Sequence, residues 1–478
     1  RKYFIQSDIF GFCRGDRAGT LAFFQWYFEE LRAGHEGAGV EPAVLDQFRL
    51  QSDFWAGRPG IGAERAFLNH RILVVSADDP MDGRAVGGKH THVHLLTRAL
   101  RKKNVPCALV TCKLKPEETV DLSALTRDFA PPPEALDDRN GRRKDRDAMC
   151  LVYAMQKQLE EKILEHLRTH YVSCVSCQDV IAASAVRRVL TELGMEIPVV
   201  TTLHGYFADE NVDYGLIQGG GPMYGFFREY ERRACGASDF IVAVDGRIAE
   251  HARGMTGGRV WITVLYNAVD DGAFRMDGEA PSADIVLVPR RLVAKNGVAF
   301  AVRAARVLQD RGERNFAMLI AGEGPERPAL EALIAENNLE GRVCLLGAVS
   351  HDLVRALYAQ AKAVLIPSVP SNNVEEATSL AALEGMACGK AVVASAIGGL
   401  KEILRDGWNG LLVPPGDPDA IADALSTVFR MDATRYGEMG RAARADVERA
   451  HGYKNHADKL LAVFAECADK MAISGRTV

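Results

Sequence analysis

Short apolar runs separated by amphipathic stretches dominate the chain from about residue 70 onward. Ile72-Leu73-Val74-Val75 is the first, and an uninterrupted run of this length fits a strand buried on both faces of a parallel sheet. A glycine-bearing loop from Asp78 to Lys89 follows. Then come a helical spacing at His94, Leu95, Leu96 and Leu100 and a second run at 107–111. Strand, loop, helix and strand make a βαβ unit. Runs at 172–175, 199–203, 240–244 and 262–265 extend the series, and a helix is predicted over 149–170. A second series opens at 285–288 and continues with strands at 317–320, 343–346, 363–366 and 391–395. Helices alternate with them at 300–308, 329–337, 353–360 and 379–387. Two successive βα series predict an α/β chain of two facing, doubly wound, Rossmann-like domains with a ligand cleft between them.

Two stretches break the pattern. Residues 1–68 hold 12 of the 35 aromatic residues within their first 55 positions, and Leu21, Phe24, Phe28 and Leu31 recur at helical steps. They read as a separate, mostly helical extension. Residues 126–147 are poor in apolar side chains, contain Pro131-Pro132-Pro133 and end in a charged run, which predicts a solvated insertion. The expected division is an extension at 1–68, a first domain at 69–268 and a second at 269–450. A C-terminal helix at 451–478 is expected to cross back to the first domain, and the linker is placed at 267–274.

Composition narrows the function. The 478 residues are 47% hydrophobic and 25% charged, which excludes a mainly disordered or collagen-like chain. The net charge of −5 gives no electrostatic case for nucleic acid as a partner. No apolar stretch is long enough for a transmembrane helix. Ten cysteines are too few for a disulfide scaffold and point to a reducing, cytoplasmic location, with a peripheral membrane contact left open. Cys174 and Cys177 have redox or zinc spacing but sit in an apolar run, which favours buried thiols. His90, His92 and His94 alternate, which is not the spacing of two ligands one helical turn apart, so no metal site is expected.

The candidate chemistry clusters at predicted strand ends. Arg290, Arg291 and Lys295 follow the strand at 285–288, where the cleft lies in a parallel sheet, and suit a diphosphate. Thr378, Ser379 and Leu380 open a helix whose first N–H groups lack internal partners and can hold a phosphate, with the two hydroxyls assisting. Glu376 before that helix and Glu384 within it can face one ligand and accept paired sugar or ribose hydroxyls. The small and apolar neighbours of Glu384 argue for burial, and a buried carboxylate needs partners. His204 and Gly205 end a first-domain strand. Gly87 and Gly88, beside Lys89, let a ligand approach the backbone closely.

Together these pieces resemble the retaining glycosyltransferases of family 4, which have the two-Rossmann-domain GT-B fold. The resemblance rests on Arg291-Leu-Val with Lys295-Asn-Gly297, Ile320-Ala-Gly-Glu-Gly-Pro325, Arg342-Val-Cys-Leu-Leu-Gly347 and Pro367-Ser368. It rests equally on Glu376 and Glu384 with seven residues between them, Gly398-Gly399-x-x-Glu402 and Asn409-Gly410-Leu-Leu-Val-Pro414, and it spans roughly residues 70–470. It implies transfer of a sugar from a nucleotide-diphosphate donor, UDP- or GDP-type, to an acceptor hydroxyl with the anomeric configuration kept. No metal or other cofactor is implied. Arg291 (or Arg290) and Lys295 would stabilise the diphosphate, Glu376 the donor sugar, Glu384 the ribose and the N–H groups near Ser379 a phosphate, with His204 beside the reacting sugar. The acceptor could be a glycan, a lipid-linked molecule or a small molecule. The extension at 1–68, which has no counterpart in the family pattern, is a candidate homo-oligomer contact. A nucleotide-sugar epimerase of the same architecture and a catalytically silent sugar-nucleotide-binding protein are the alternatives. Three departures stand out. The family's five-residue Arg-to-Lys spacing fits Arg290 and Lys295, whereas the glycine register favours Arg291 and would put Asn296 at the Lys position. Ser379 occupies a position where glycine is common, and Asp245 one where serine is common.

Overall fold

The computed structural model describes residues 72–79, 88–113, 120–135, 143–170, 172–275, 283–313, 315–371 and 375–473. The expected helix at 21–31, the rest of residues 1–68 and Gly87 lie outside the described residues.

Two six-stranded parallel sheets form the frame. The first is built from β1 (Ile72–Ser76), β2 (Cys107–Thr111), β3 (Cys174–Cys177), β4 (Val199–Leu203), β5 (Phe240–Ala243) and β6 (Trp261–Val264). Its order is β2-β1-β3-β4-β5-β6, so the winding reverses at β1 and β3. The second contains β7 (Asp284–Val288), β8 (Phe316–Ala321), β9 (Val343–Gly347), β10 (Ala363–Ile366), β11 (Ala391–Ser395) and β12 (Leu411–Val413). Its order, β12-β11-β10-β7-β8-β9, reverses at β7 and β10. Ligands of such sheets bind outside the carboxyl ends of the strands at the reversal. The helices that shape those ends are α1 (Gly88–Lys102), α2 (Arg143–Thr169), α3 (Val180–Leu193), α4 (Phe207–Asp213), α5 (Gly246–Thr256), α6 (Val298–Asp310), α7 (Leu380–Ala387) and α8 (Tyr453–Ile473).

Apolar periodicity explains most of this. Leu73, Val74 and Val75 of β1 are fully buried, and so are Val364, Leu365 and Ile366 of β10, because helices cover both faces of each sheet. The last helix, α8, places Leu460, Val463, Phe464 and Cys467 into the first-domain core beside Ile72, Val74, Val93 and Phe240. At about 1.5–3 kcal/mol for each large apolar side chain buried, this packing anchors α8 to the first domain. The chain therefore passes between the two domains twice, at 265–274 and again near Gly452, where Val269 and Gly452 form a parallel bridge.

Three local expectations are corrected. The third strand runs from 174 to 177, not 172 to 175, because Ser176 can be buried inside it: its hydroxyl accepts a hydrogen bond from Gln178 Nε2 at 2.9 Å. The stretch expected to be a solvated insertion is partly helical, at Leu122–Phe129 and from Arg143 onward. The charged run begins α2, where Asp145 turns inward and accepts from the Gln218 N–H, and Met149, Val152, Leu159 and Ile163 continue the buried stripe. A short strand at 411–413 was not anticipated, since three residues carry little pattern. Among the described residues no helix is long and apolar enough to cross a membrane.

Gly297 sets the spacing of the two strand ends at the second reversal. It has φ +62, and a Cβ there would run into the Pro367 carbonyl oxygen just after β10. Gly341 has φ +81 with open space around it. Gly341→Ala is expected to cost about 1 kcal/mol, for backbone strain alone. Gly297→Ala should cost about 3 kcal/mol or more, because backbone must also shift. Urea unfolding of the two variants checks this, and equal losses would contradict it.

Candidate functional site

The second-domain wall is organised around Arg290, two residues past β7. Its guanidinium is buried and makes five hydrogen bonds. Nη1 donates to Glu376 Oε1 at 2.9 Å and to Ser379 Oγ at 3.2 Å. Nη2 donates to Glu376 Oε2 at 2.6 Å, to Asn296 Oδ1 at 2.6 Å and to Ser368 Oγ at 2.8 Å. The fork geometry of Arg matches a carboxylate in two parallel bonds, as here. One side chain thus joins the ends of β7 and β10 to the start of α7. Burial works against ionisation of Glu376, but the Arg290 charge and hydrogen bonds, with Lys295 and Ser379, outweigh it and hold the carboxyl below its ordinary range.

Arg291 points the other way. It is exposed, and its guanidinium lies over the Tyr214 ring at 5.3 Å. Lys295 approaches the same ring at 5.4 Å, and its Nζ is 3.7 Å from Glu210 Oε1 of the first domain. The adjacent pair read as one cationic cluster is therefore split: Arg290 is a buried connector and Arg291 a cleft cation.

Helix α7 begins after Thr378 and Ser379, both buried. The Thr378 hydroxyl donates to the Val244 carbonyl of the first domain, and the Ser379 hydroxyl accepts from Arg290. The Thr378 hydroxyl has thus committed its proton to that carbonyl, whereas the Ser379 hydroxyl, an acceptor toward Arg290, still has an O–H to donate, and the first-turn N–H groups around Leu380 lack helical partners. The replacement of glycine by serine at 379 has a visible use, as an Arg290 partner. Glu384 lies one turn further on. Burial pushes its carboxyl up to about 7, with a hydrogen bond from Tyr358 acting the opposite way.

The first-domain wall faces these groups. His204 follows β4, with Nε2 3.4 Å from Gln178 Oε1 after β3 and its ring edge-on to His92 at 4.6 Å. Burial, then the charges of Lys89 and His456, push His204 down to about 3, so it is neutral near pH 7. Gly88 starts α1 close enough to Leu380 that a Cβ would touch it, which brings the start of α1 to the start of α7. Lys89 is held by Asp78 Oδ2 at 2.5 Å and Asp179 Oδ2 at 3.1 Å. Asp245 caps α5, accepting from Ile248 N at 2.7 Å, a role that Ser and Asp share.

The structure thus gathers Gly88, His204, Arg290, Arg291, Lys295, Glu376, Thr378, Ser379, Leu380 and Glu384 around one cleft. Sequence reasoning quoted Asn296 and Ser368 only as parts of motifs, with no role of their own, and it missed Lys89's two aspartates, Glu210 and Tyr214. Asp179, an N-cap straight after a strand end, carried a readable signal; Glu210 and Tyr214 did not. Among the described residues no group of three or more His, Cys, Asp or Glu is arranged to hold a metal ion.

The chain is similar to known proteins over both domains. Residues 86–272 match the profile described as Glycosyltransferase Family 4, and residues 283–431 the one described as Glycosyl transferases group 1. An uncharacterized glycosyltransferase of Methanocaldococcus jannaschii is 30% identical over 223 residues, covering 44% of this chain and 55% of that protein. The chain spans about half the length of the curated relatives it matches. Among solved structures, sucrose-phosphate synthase from Thermosynechococcus elongatus has a TM-score of 0.65 at 18% identity, covering 84% of this chain and 100% of that one. Anabaena HepE, solved with UDP and glucose, has a TM-score of 0.58 at 16% identity, covering 83% and 100%. With the two sheets, their order and the matched profiles in agreement, the chain belongs to the family 4, group 1 glycosyltransferases and has their GT-B fold.

Proposed function

We propose that the chain is a retaining glycosyltransferase that moves a sugar from a nucleoside-diphosphate sugar, UDP- or GDP-type, to an acceptor hydroxyl without a bound metal. The observation that carries this reading is the convergence of Arg291, Lys295 and the α7 N-terminus beside Glu376 and Glu384, at the strand ends where the second sheet reverses. A departing diphosphate gains negative charge, and preorganised cations and helix N–H groups stabilise that charge more in the transition state than in the ground state. Glu384 accepts from the donor ribose. Glu376, which keeps 15% of its side-chain surface open, accepts from the donor sugar. Neutral His204 meets the sugar from the opposite wall. The leaving phosphate takes the acceptor proton as the acceptor attacks from the same face, so no separate nucleophile is required. The UDP and glucose bound by HepE support a donor of this class.

The test is a screen of UDP- and GDP-sugars by mass spectrometry, with and without EDTA, following nucleoside diphosphate release. Transfer that survives EDTA is expected. Isomerisation of the donor without acceptor would favour an epimerase, and neither reaction a silent binder. Lys295→Ala and Glu376→Gln should each lower kcat/KM about 10²- to 10³-fold. Glutamine keeps one acceptor for Arg290 but removes the carboxylate that balances its charge, so Glu376→Gln should also lower the melting temperature. Lys295→Ala, which leaves that pair intact, is the cleaner test of role; near-wild-type turnover in both variants would overturn the assigned roles.

Glu384 generates a pH dependence. Its folded pKa of about 7 lies above the ordinary value, so the carboxylate form grows as pH rises through neutrality. Between pH 6 and 8 the ionised fraction increases about tenfold, and donor KM should fall by a similar factor. Glu384→Gln should remove most of this slope. A variant with the wild-type slope would show that another group controls donor binding.

A further inference from the structure

The cations assigned to the donor diphosphate are already engaged by the opposite domain. Glu210 on α4 lies 3.7 Å from Lys295 Nζ, and the Tyr214 ring just beyond α4 lies under both Arg291 and Lys295. A third contact comes from the same helix: Ser371 Oγ, after β10, donates to Asp213 Oδ1 at 2.9 Å. The segment that makes these contacts is bracketed by Gly205 and by the run Gly219-Gly220-Gly221, a feature that the reading above leaves unused.

We propose that Glu210 is an internal stand-in for the donor diphosphate: its carboxylate occupies the anion position beside Lys295, and donor binding displaces it. This rests on the nucleoside-diphosphate reading given above. The physical case is that two anions cannot share one cation at this range without mutual repulsion. Glu210 is also poorly suited to remain an anion there. Burial, ahead of the attraction of Lys295 and Lys89, lifts its carboxyl above the ordinary value, and Glu231 and Asp213 add to the lift.

Gly205 shows how tightly the stand-in is seated. A Cβ at position 205 would collide with the Glu210 carboxylate. Glycine after His204 therefore makes room for this side chain, a use separate from ligand approach. Substituting Gly205 evicts the carboxylate without removing a charge from the chain, whereas Glu210→Gln removes the charge and keeps the shape. The two variants thus separate displacement of the anion from any general change in net charge.

The experiment is isothermal titration calorimetry of the full chain with inorganic pyrophosphate, UDP and GDP. The wild type is expected to bind pyrophosphate and at least one nucleotide. Glu210→Gln should bind them at least about fivefold more tightly, the low end of ordinary coupling between two charged groups. Gly205→Ala should shift affinity in the same direction. In turnover, donor KM should fall more than kcat changes, a split that a purely structural residue would not give. Unchanged or weaker pyrophosphate binding in Glu210→Gln overturns the proposal while leaving the donor reading intact. Binding of none of the three probes by the wild type overturns both.

Discussion

The geometry of the cleft depends on the Arg290–Glu376 pair. A buried guanidinium is costly unless its charge and donors are matched, and this one is matched at both Nη atoms by a carboxylate, two hydroxyls and an amide drawn from three separate elements, with Nε alone lacking a partner among the described residues. Because partners come from after β7, after β10 and before α7, the pair fixes the relative position of each element that carries a candidate donor-binding group. Removing one partner would leave the other uncompensated, at a cost of about 3–5 kcal/mol. Neighbouring backbone reinforces the arrangement: Val369 N–H donates to the Lys295 carbonyl at 2.9 Å, which ties the Lys295 loop to the end of β10.

The same loops also hold the two domains together. The Thr378 hydroxyl reaches the Val244 carbonyl, and Asn267 Nδ2 in the linker donates to the Thr378 carbonyl at 3.0 Å. Glu402 receives the Gly246 N–H that opens α5, at 3.2 and 3.3 Å, and Glu375 pairs with Arg247. These contacts lie on either side of the α7 N-terminus. Under the proposed reading, an anion at the α7 N-terminus could not shift α7 without loading these interdomain contacts.

The extent to which this was legible follows from what periodicity encodes. A strand buried on both faces leaves an uninterrupted apolar run, so β1, β4, β10 and β11 were readable at nearly their true bounds. The charged start of α2 was not, because the inward turn of Asp145 depends on a backbone N–H at Gln218, seventy-three positions away. The choice between Arg290 and Arg291 was equally out of reach. After Pro289 the chain leaves the sheet, the alternation of faces ends, and which guanidinium turns inward is decided by Glu376, eighty-six positions downstream. The motifs pointed to the candidate site because strand ends and helix starts are local features. The partners within it are long-range and leave no local trace.

The net charge of −5 says little about the cleft, because the charges there are sorted by wall. On the second-domain side Glu376 cancels Arg290, Glu384 is about half ionised near pH 7, and Arg291 and Lys295 remain as the cations that face the cleft. On the first-domain side, Lys89 is outnumbered by Asp78, Asp179 and Glu210. His204 contributes no charge near neutrality, since burial keeps it unprotonated. The field across the gap therefore points anions toward the second sheet and away from the first. Under the proposed reaction this polarity orients the donor before any specific contact to its sugar is made. The diphosphate is drawn to Arg291, Lys295 and the α7 N-terminus, and the acceptor hydroxyl is left against a wall whose carboxylates can only accept hydrogen bonds. The segregation follows from local cations placed at the ends of β7 and carboxylates placed at the ends of β1 and β3, and it would persist whatever the sign of the remaining surface.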